Sequence, residues 1–301
     1  MRFIKSFPDG IHTPFAIRDA RDAGATRSQL RNSAFVAPFH GTRMLAAAEP
    51  TLTLRCAALL SRMPDRIVFS HTTAARLHGM WLPFTLDDTV HTTLPAPQRC
   101  MRRKGARGHS ARLIDADRTR IGELPVTTVE RTWCDLGSIL ELPDLVAAAD
   151  GLLCHKNSRT TVVKLQAVVA RQRNRPYHAK LRRALGLVTD QSASRPESLV
   201  RVELALSNLP TPIPNFRLNL THRPGYRVVD LAYPDYRLGL EYHGDHHRTD
   251  KGQWHTDVRR MNEIIDEDWE ELQFTGADLP RLDLLRERVE RRLRARGWCE
   301  S

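Results

Sequence analysis

Four carboxylates and three histidines lie close together in the segment Asp230-Leu-Ala-Tyr-Pro-Asp-Tyr-Arg-Leu-Gly-Leu-Glu-Tyr-His-Gly-Asp-His-His247. Pro234 and Asp235 separate two short apolar runs, Val228 to Ala232 and Tyr236 to Tyr242, so the segment reads as a β-hairpin. Asp230 rides up one strand and Glu241 down its neighbour. Carboxylates on paired strands can approach closely enough to share a hard cation, because Mg²⁺ takes oxygen ligands, usually one or two carboxylates plus substrate phosphate. The chemistry implied is hydrolysis of a phosphodiester with Mg²⁺ or Mn²⁺ as cofactor and Asp230 and Glu241 as metal ligands. His243, His246 or His247 would handle the proton, since imidazole titrates near neutral pH. A zinc site built from these histidines fits less well, because zinc favours tetrahedral N/S ligation and no cysteine is near. The competing reading of Asp230 and Glu241 is a structural salt bridge, for carboxylates in apolar strands need some partner.

Glu197 admits two roles. Ser194-x-x-Glu197 is a capping box, which by itself accounts for an acid at the start of a helix. The other role is a third acid of the metal site. Downstream, Trp254, Val258, Met261 and Ile265 share one helical face and are expected in the core, with Asp257 and Arg260 off that stripe as an exposed pair.

Residues Ser194 to Trp298 resemble the PD-(D/E)XK nuclease superfamily and, within it, the very-short-patch repair (Vsr) endonucleases and a related bacterial domain of unknown function. The resemblance implies Glu197 as the acid on the helix preceding the sheet, Asp230 as the first strand carboxylate, and Glu241 as the acid opening the Glu-x-Lys or Glu-x-Asp element. His243-Gly244, followed by Asp245, His246 and His247, is similar to the His-Gly and trailing His of the Vsr enzymes. The chain departs from the pattern at His243, which stands where the superfamily carries Lys and the closer relatives carry Asp. A neutral imidazole can orient water or ligate a metal, but it does not reproduce a fixed ammonium charge. The resemblance therefore implies a metal-dependent DNA endonuclease, with Glu197, Asp230, Glu241 and the His cluster at its site. The alternative is a non-catalytic regulator whose nuclease fold serves as a binding module.

The N-terminal elements look like a small DNA reader. Ile17, Ala20 and Ala23 give Ala16 to Ala23 a helical stripe ended by Gly24, and Thr26 with Gln29 forms a capping box for a second helix, Ser28 to Ser33. Phe35 to Arg43 supplies two short strands and a Gly turn, as a wing would. Arg27, Gln29 and Arg31 then face the major groove as base readers, with Arg43 beside them. The run from Arg99 to Arg112 holds Arg102, Arg103 and Lys104 among its basic residues and reads as a solvated loop able to track phosphates. A plain docking subdomain is the alternative. Residues 1–150 resemble the AbiEi family, transcriptional regulators that serve as antitoxins of type IV toxin-antitoxin systems. The motifs that carry this are Gly24-Ala-Thr-Arg-Ser-Gln-Leu, Phe39-His-Gly-Thr-Arg, Ser70-His-Thr-Thr-Ala-Ala-Arg-Leu-His-Gly79 and Val126-Thr-Thr-Val-Glu-Arg-Thr132. That resemblance implies sequence-directed DNA binding and a cognate toxin as partner.

These parts fit a 301-residue chain of two or three domains. The expected fold class is α/β and α+β multidomain. A winged helix-turn-helix occupies 1–48 and a mixed α/β domain 49–155. A basic helical linker follows over 156–193, ending in the small polar stretch Thr189 to Ser194, and a restriction-endonuclease-like α/β core spans 194–299. The 46 Lys and Arg against 35 Asp and Glu give a net charge of +11, which favours a polyanion such as DNA, although such charge can also serve solubility alone. No apolar run approaches the ~18 residues that cross a bilayer, and Met1-Arg-Phe-Ile-Lys-Ser lacks a signal-peptide core, so no membrane partner is expected. Five scattered cysteines without CxxC spacing argue against a disulfide framework and for the cytoplasm. No motif fixes an oligomeric state.

Overall fold

The computed structural model describes residues 8, 12–98, 103–244 and 262–300. They fold as mixed α/β with three sheets, in two compact units, Met1–Ile139 and Leu140–Ser301. Among the described residues, no helix is long and apolar enough to cross a membrane.

The first unit opens with β1 (Phe15–Ala16), α1 (Ile17–Asp22), α2 (Arg27–Leu30), β2 (Phe35–Val36) and β3 (Thr42–Leu45), the strands forming an antiparallel sheet in the order β1-β3-β2. The capping box at the start of α2 is present: Gln29 N donates to Thr26 Oγ1, and Thr26 N donates to Gln29 Oε1 at 2.8 Å. The helix is shorter than its sequence suggests and stops at Leu30. Asn32 Oδ1 accepts from Ala34 N at 2.9 Å, a local side-chain turn that competes with continued helix.

A second sheet contains β4 (Val68–Phe69), β5 (Val90–Pro95), β6 (Ala106–Ala111), β7 (Arg118–Ile121) and β8 (Leu124–Thr127) in the order β6-β5-β4-β8-β7. Three helices accompany it: α3 (Leu52–Leu60), α4 (His71–Leu77) and α5 (Val129–Leu136). The expectation of a loop from Arg99 to Arg112 fails over its second half, where β6 pairs in parallel with β5. Its sequence, Ala-Arg-Gly-His-Ser-Ala, has no strand-like alternation, and the pairing is imposed by the neighbouring strand. The two later motifs of this unit meet across β8. His78 Nε2 lies 2.7 Å from Thr127 O, and buried Arg131 donates to Asp135 Oδ1 at 2.9 Å and to Asp117 Oδ2 at 3.0 Å.

The second unit begins with α6 (Leu142–Leu153), α7 (Val162–Arg171), α8 (His178–Leu185) and α9 (Arg195–Ala205). The stretch expected as a linker thus packs inside this unit, with Leu165, Val168, Leu181 and Ala184 buried. Asp150 on α6 is fully buried and accepts from Ser198 Oγ, Arg201 Nη2 and Thr189 N at 2.7, 2.7 and 2.8 Å, which fixes α9 to α6. Then come β9 (Ile213–Asn219), β10 (Tyr226–Tyr233), β11 (Leu238–His243), β12 (Glu270–Thr275) and α10 (Leu282–Ala295). The sheet order is β12-β11-β10-β9, antiparallel except for the parallel β11/β12 pair. Val200 and Leu204 of α9 and Leu285, Val289 and Leu293 of α10 pack with Leu231, Leu240 and Phe274 of the sheet. Of the expected helical stripe, Trp254, Val258 and Met261 lie outside the described residues, and so do Asp257 and Arg260. Ile265 is exposed, and Ile264 takes the core position, against Val229 and Trp269.

Candidate functional site

The hairpin forms as its residues dictate, with β10 and β11 joined by a single 3-10 turn at Pro234–Tyr236 and Arg237 in the left-handed region at φ 46°. Strict alternation fails at Asp230. Val229 packs with Leu218, Ile264 and Trp269, whereas Leu231, two residues on, packs with the α9/α10 side, and period-2 geometry would put both on one face. The β9 residue between the partners of Val229 and Leu231 is Asn215, held at φ 47°. The strand is therefore irregular where it carries its carboxylate, as strands are where they re-aim a side chain. Gly239 lets β11 approach: a Cβ there would stand 2.8 Å from Val229 Cγ1.

Asp230 Oδ2 accepts from Tyr242 N at 2.8 Å, and the Asp230 and Glu241 carboxyl groups are hydrogen-bonded to each other. Glu197, on the first turn of α9, is coupled to Asp230 through its charge. Its own contacts are those of a cap: Ser194 Oγ donates to Oε1 at 2.7 Å and Ala193 N to Oε2 at 2.9 Å. Burial, then the Asp230 charge, pushes Glu197 up to about 7, while Lys156 pulls the other way. Burial, then Asp230 and Glu271, pushes Glu241 up to about 9. Asp230 is raised by burial, against the opposing Tyr242 N–H, Glu241 and His243. None of the three forms an ion pair with a described arginine or lysine. Asp230 and Glu241, half-buried on paired strands, offer a pair of hard-oxygen donors of the kind a divalent cation takes, while the three carboxylates together do not close into a three-ligand cluster.

His243 ends β11, opposite Thr275 of β12, and is half-buried at the same end of the strand pair. His246 and His247 lie outside the described residues. The sequence reading missed Glu271, whose charge reaches both strand carboxylates from β12. No spacing rule links it to the hairpin, because β12 reaches β11 through a long crossover.

The basic residues of the first unit divide. Arg27 and Arg31 are exposed. Gln29 has its carbonyl oxygen in the cap, and Arg43 donates from Nε to Leu30 O at 2.7 Å and from Nη1 to Thr42 O at 2.8 Å, so both support the helix pair. Arg102 lies outside the described residues, and Lys104 is exposed. Arg103 is half-buried, and burial, then the nearby Arg62 charge, lowers its pKa. Arg18, Arg21, Arg43 and Arg62 line a cleft of about 720 Å³, and three of these four carried no sequence signal beyond charge. Three histidines, His71, His91 and His109, also converge, though they are far apart in sequence and match no ligand-spacing pattern.

No known family profile matches the sequence. Two Mycobacterium tuberculosis sequences, the uncharacterized proteins MT2308 of strain CDC 1551 / Oshkosh and Rv2248 of strain ATCC 25618 / H37Rv, are each 28% identical to it over 250 residues, covering 82% of this chain and 85% of theirs. Among solved structures, the RV2827C protein of Mycobacterium tuberculosis is similar at 16% identity and a TM-score of 0.43, over 65% of this chain and 78% of that one. At that likeness neither fold nor function transfers.

Proposed function

We propose that the chain is a DNA-binding protein whose second unit is a restriction-endonuclease-like core that hydrolyses DNA phosphodiesters with Mg²⁺ or Mn²⁺. The observation that carries this reading is the pairing of half-buried Asp230 and Glu241 on neighbouring strands, with buried Glu197 of α9 coupled to Asp230 through its charge and no described arginine or lysine in ion-pair contact with any of the three. Asp230 and Glu241 would hold the cation, and Glu197, already bound to Ser194 and Ala193, would act at its edge. When bound, such an ion polarises the phosphate and lowers the pKa of a coordinated water. His243, at the end of β11, would orient that water or accept its proton. A helix carrying an acid before a sheet with one carboxylate on each strand of a hairpin is the arrangement that the PD-(D/E)XK resemblance implies.

Two short helices and a three-stranded sheet ordered β1-β3-β2 support a winged-helix reading of residues 1–48. Exposed Arg27 and Arg31 would reach the bases, and the arginine cleft, with Arg103 and Lys104, would meet phosphates. On the AbiEi resemblance, the partners are DNA and a cognate toxin. The unbridged thiols of Cys56, Cys154 and Cys299 fit a cytoplasmic setting.

Incubating the full chain with supercoiled and linear DNA tests the reaction. Cleavage with Mg²⁺ or Mn²⁺, absent with EDTA and lost in Asp230→Asn and Glu241→Gln, is the expected outcome. DNA left intact across both metals would overturn it and leave the second reading, a non-catalytic regulator, which His243 in place of the superfamily lysine favours.

A further inference from the structure

His71, His91 and His109 come from three elements of the first unit, and their ligand nitrogens all lie within 4.8 Å of one another. The ladder explains two of them. β5 and β6 run parallel with His91 opposite Arg107 and Thr93 opposite His109, so the two histidines share one face of the sheet. His91 Nδ1 and His109 Nε2 are 3.1 Å apart. Two imidazoles on a tetrahedral ion with Zn–N of ~2.0 Å stand ~3.3 Å apart, so this pair is already spaced for a shared metal.

His71 approaches from the first turn of α4. It has φ 50°, a left-handed conformation that a non-glycine residue adopts only when its surroundings impose it. The ring stacks on His109 with centroids 3.8 Å apart. Its Nδ1 is 2.9 Å from Ser70 Oγ, which accepts from Thr93 Oγ1 at 2.7 Å. Metal-ligating histidines characteristically have the second ring nitrogen held this way, which fixes the ring and the tautomer. His71 and His91 are buried and His109 is half-buried, so the cluster reaches solvent on one side.

We propose that His71, His91 and His109 form a binding site for a divalent transition ion of the zinc class, with water in the fourth position. Three imidazoles with one open side match the donor number of open zinc sites, and nitrogen donors select zinc-class ions over Mg²⁺. The site is separate from the acid cluster and does not depend on nuclease activity.

The test uses full-length protein stripped with EDTA and titrated with Co²⁺, then Zn²⁺. The expected result is one equivalent of Co²⁺ giving the intense visible bands of a tetrahedral ion, displaced by Zn²⁺ and retained in Glu241→Gln. His109→Ala, on an edge strand, should weaken Zn²⁺ binding by at least ~100-fold, more than the roughly 10–100-fold of losing an outer-shell partner, and Ser70→Ala by ~10-fold. Should His109→Ala fail to fold, X-ray absorption of zinc-loaded wild type decides, with three imidazole nitrogens expected at ~2.0 Å. Wild type without tetrahedral bands, a folded His109→Ala with unchanged bands, or a zinc shell with fewer than three imidazoles would overturn the proposal.

Discussion

Glu241, raised to about 9, and Glu197, raised to about 7, keep protons in the native state where an unfolded glutamate, titrating at ~4.3, has released them. Their contribution to stability is therefore complete below about pH 4 and drains away as pH rises through 7 to 9. Melting curves of the EDTA-treated protein should show the second unit losing stability from pH 5 to pH 9. Millimolar Mg²⁺ should reverse most of that loss, and Glu241→Gln should flatten it. A metal-free melting temperature that rises across this range would contradict the acid cluster. His91 and His109 have the opposite sign. Burial, then neighbouring positive charge, lowers both to about 4, so the native state leaves them neutral where an unfolded histidine at ~6.5 has charged. The first unit should accordingly lose stability as pH falls from about 6.5 towards 4, and His109→Ala should remove part of that loss.

At the scale of elements, the hairpin, the Thr26–Gln29 capping box and the Ser194 cap of α9 were legible because each is local: turn residues, alternation and Ser/Thr-x-x-Glu/Gln are signals within a few positions, though Glu197 bonds Ala193 N and Ser194 Oγ rather than closing the full box. What stayed hidden depends on distant pairing. β6 is a strand because β5 lies beside it, Glu271 joins the site through a parallel crossover, and the three histidines meet only when α4 is laid on two strands. A helical stripe also cannot tell Ile264 from Ile265, and the one-residue difference exchanges core for solvent. Gly239 of β11 lies directly against Val229, next to Asp230. Gly239→Ala should cost about 1–3 kcal/mol by overpacking against Val229 and should weaken Mg²⁺ stabilisation by shifting β11. Val229→Ala should recover part of that loss in the double variant, although alone it leaves a cavity. Strict additivity in the double-mutant cycle would show that the two positions do not meet.

The whole molecule joins two compact units in one chain with a net charge of +11. That charge suggested nucleic acid from composition alone, but not which arginines would serve it. Arg43 and Arg131 look equally basic in sequence, and both are committed to internal partners. DNA binding by the full chain should weaken steeply with salt. Arg21→Ala with Arg62→Ala should reduce the slope of log K against log salt by about 2, since each phosphate contact contributes ~0.9. An unchanged slope would remove the arginine cleft from the interface. The central claim is that Asp230 and Glu241 hold a divalent cation, and the most direct measurement is anomalous scattering from crystals of the full chain soaked in Mn²⁺. The account predicts a peak bridging the Asp230 and Glu241 carboxylates, lost in Asp230→Asn. Crystals with that cluster open to solvent and no peak between the two carboxylates would contradict it.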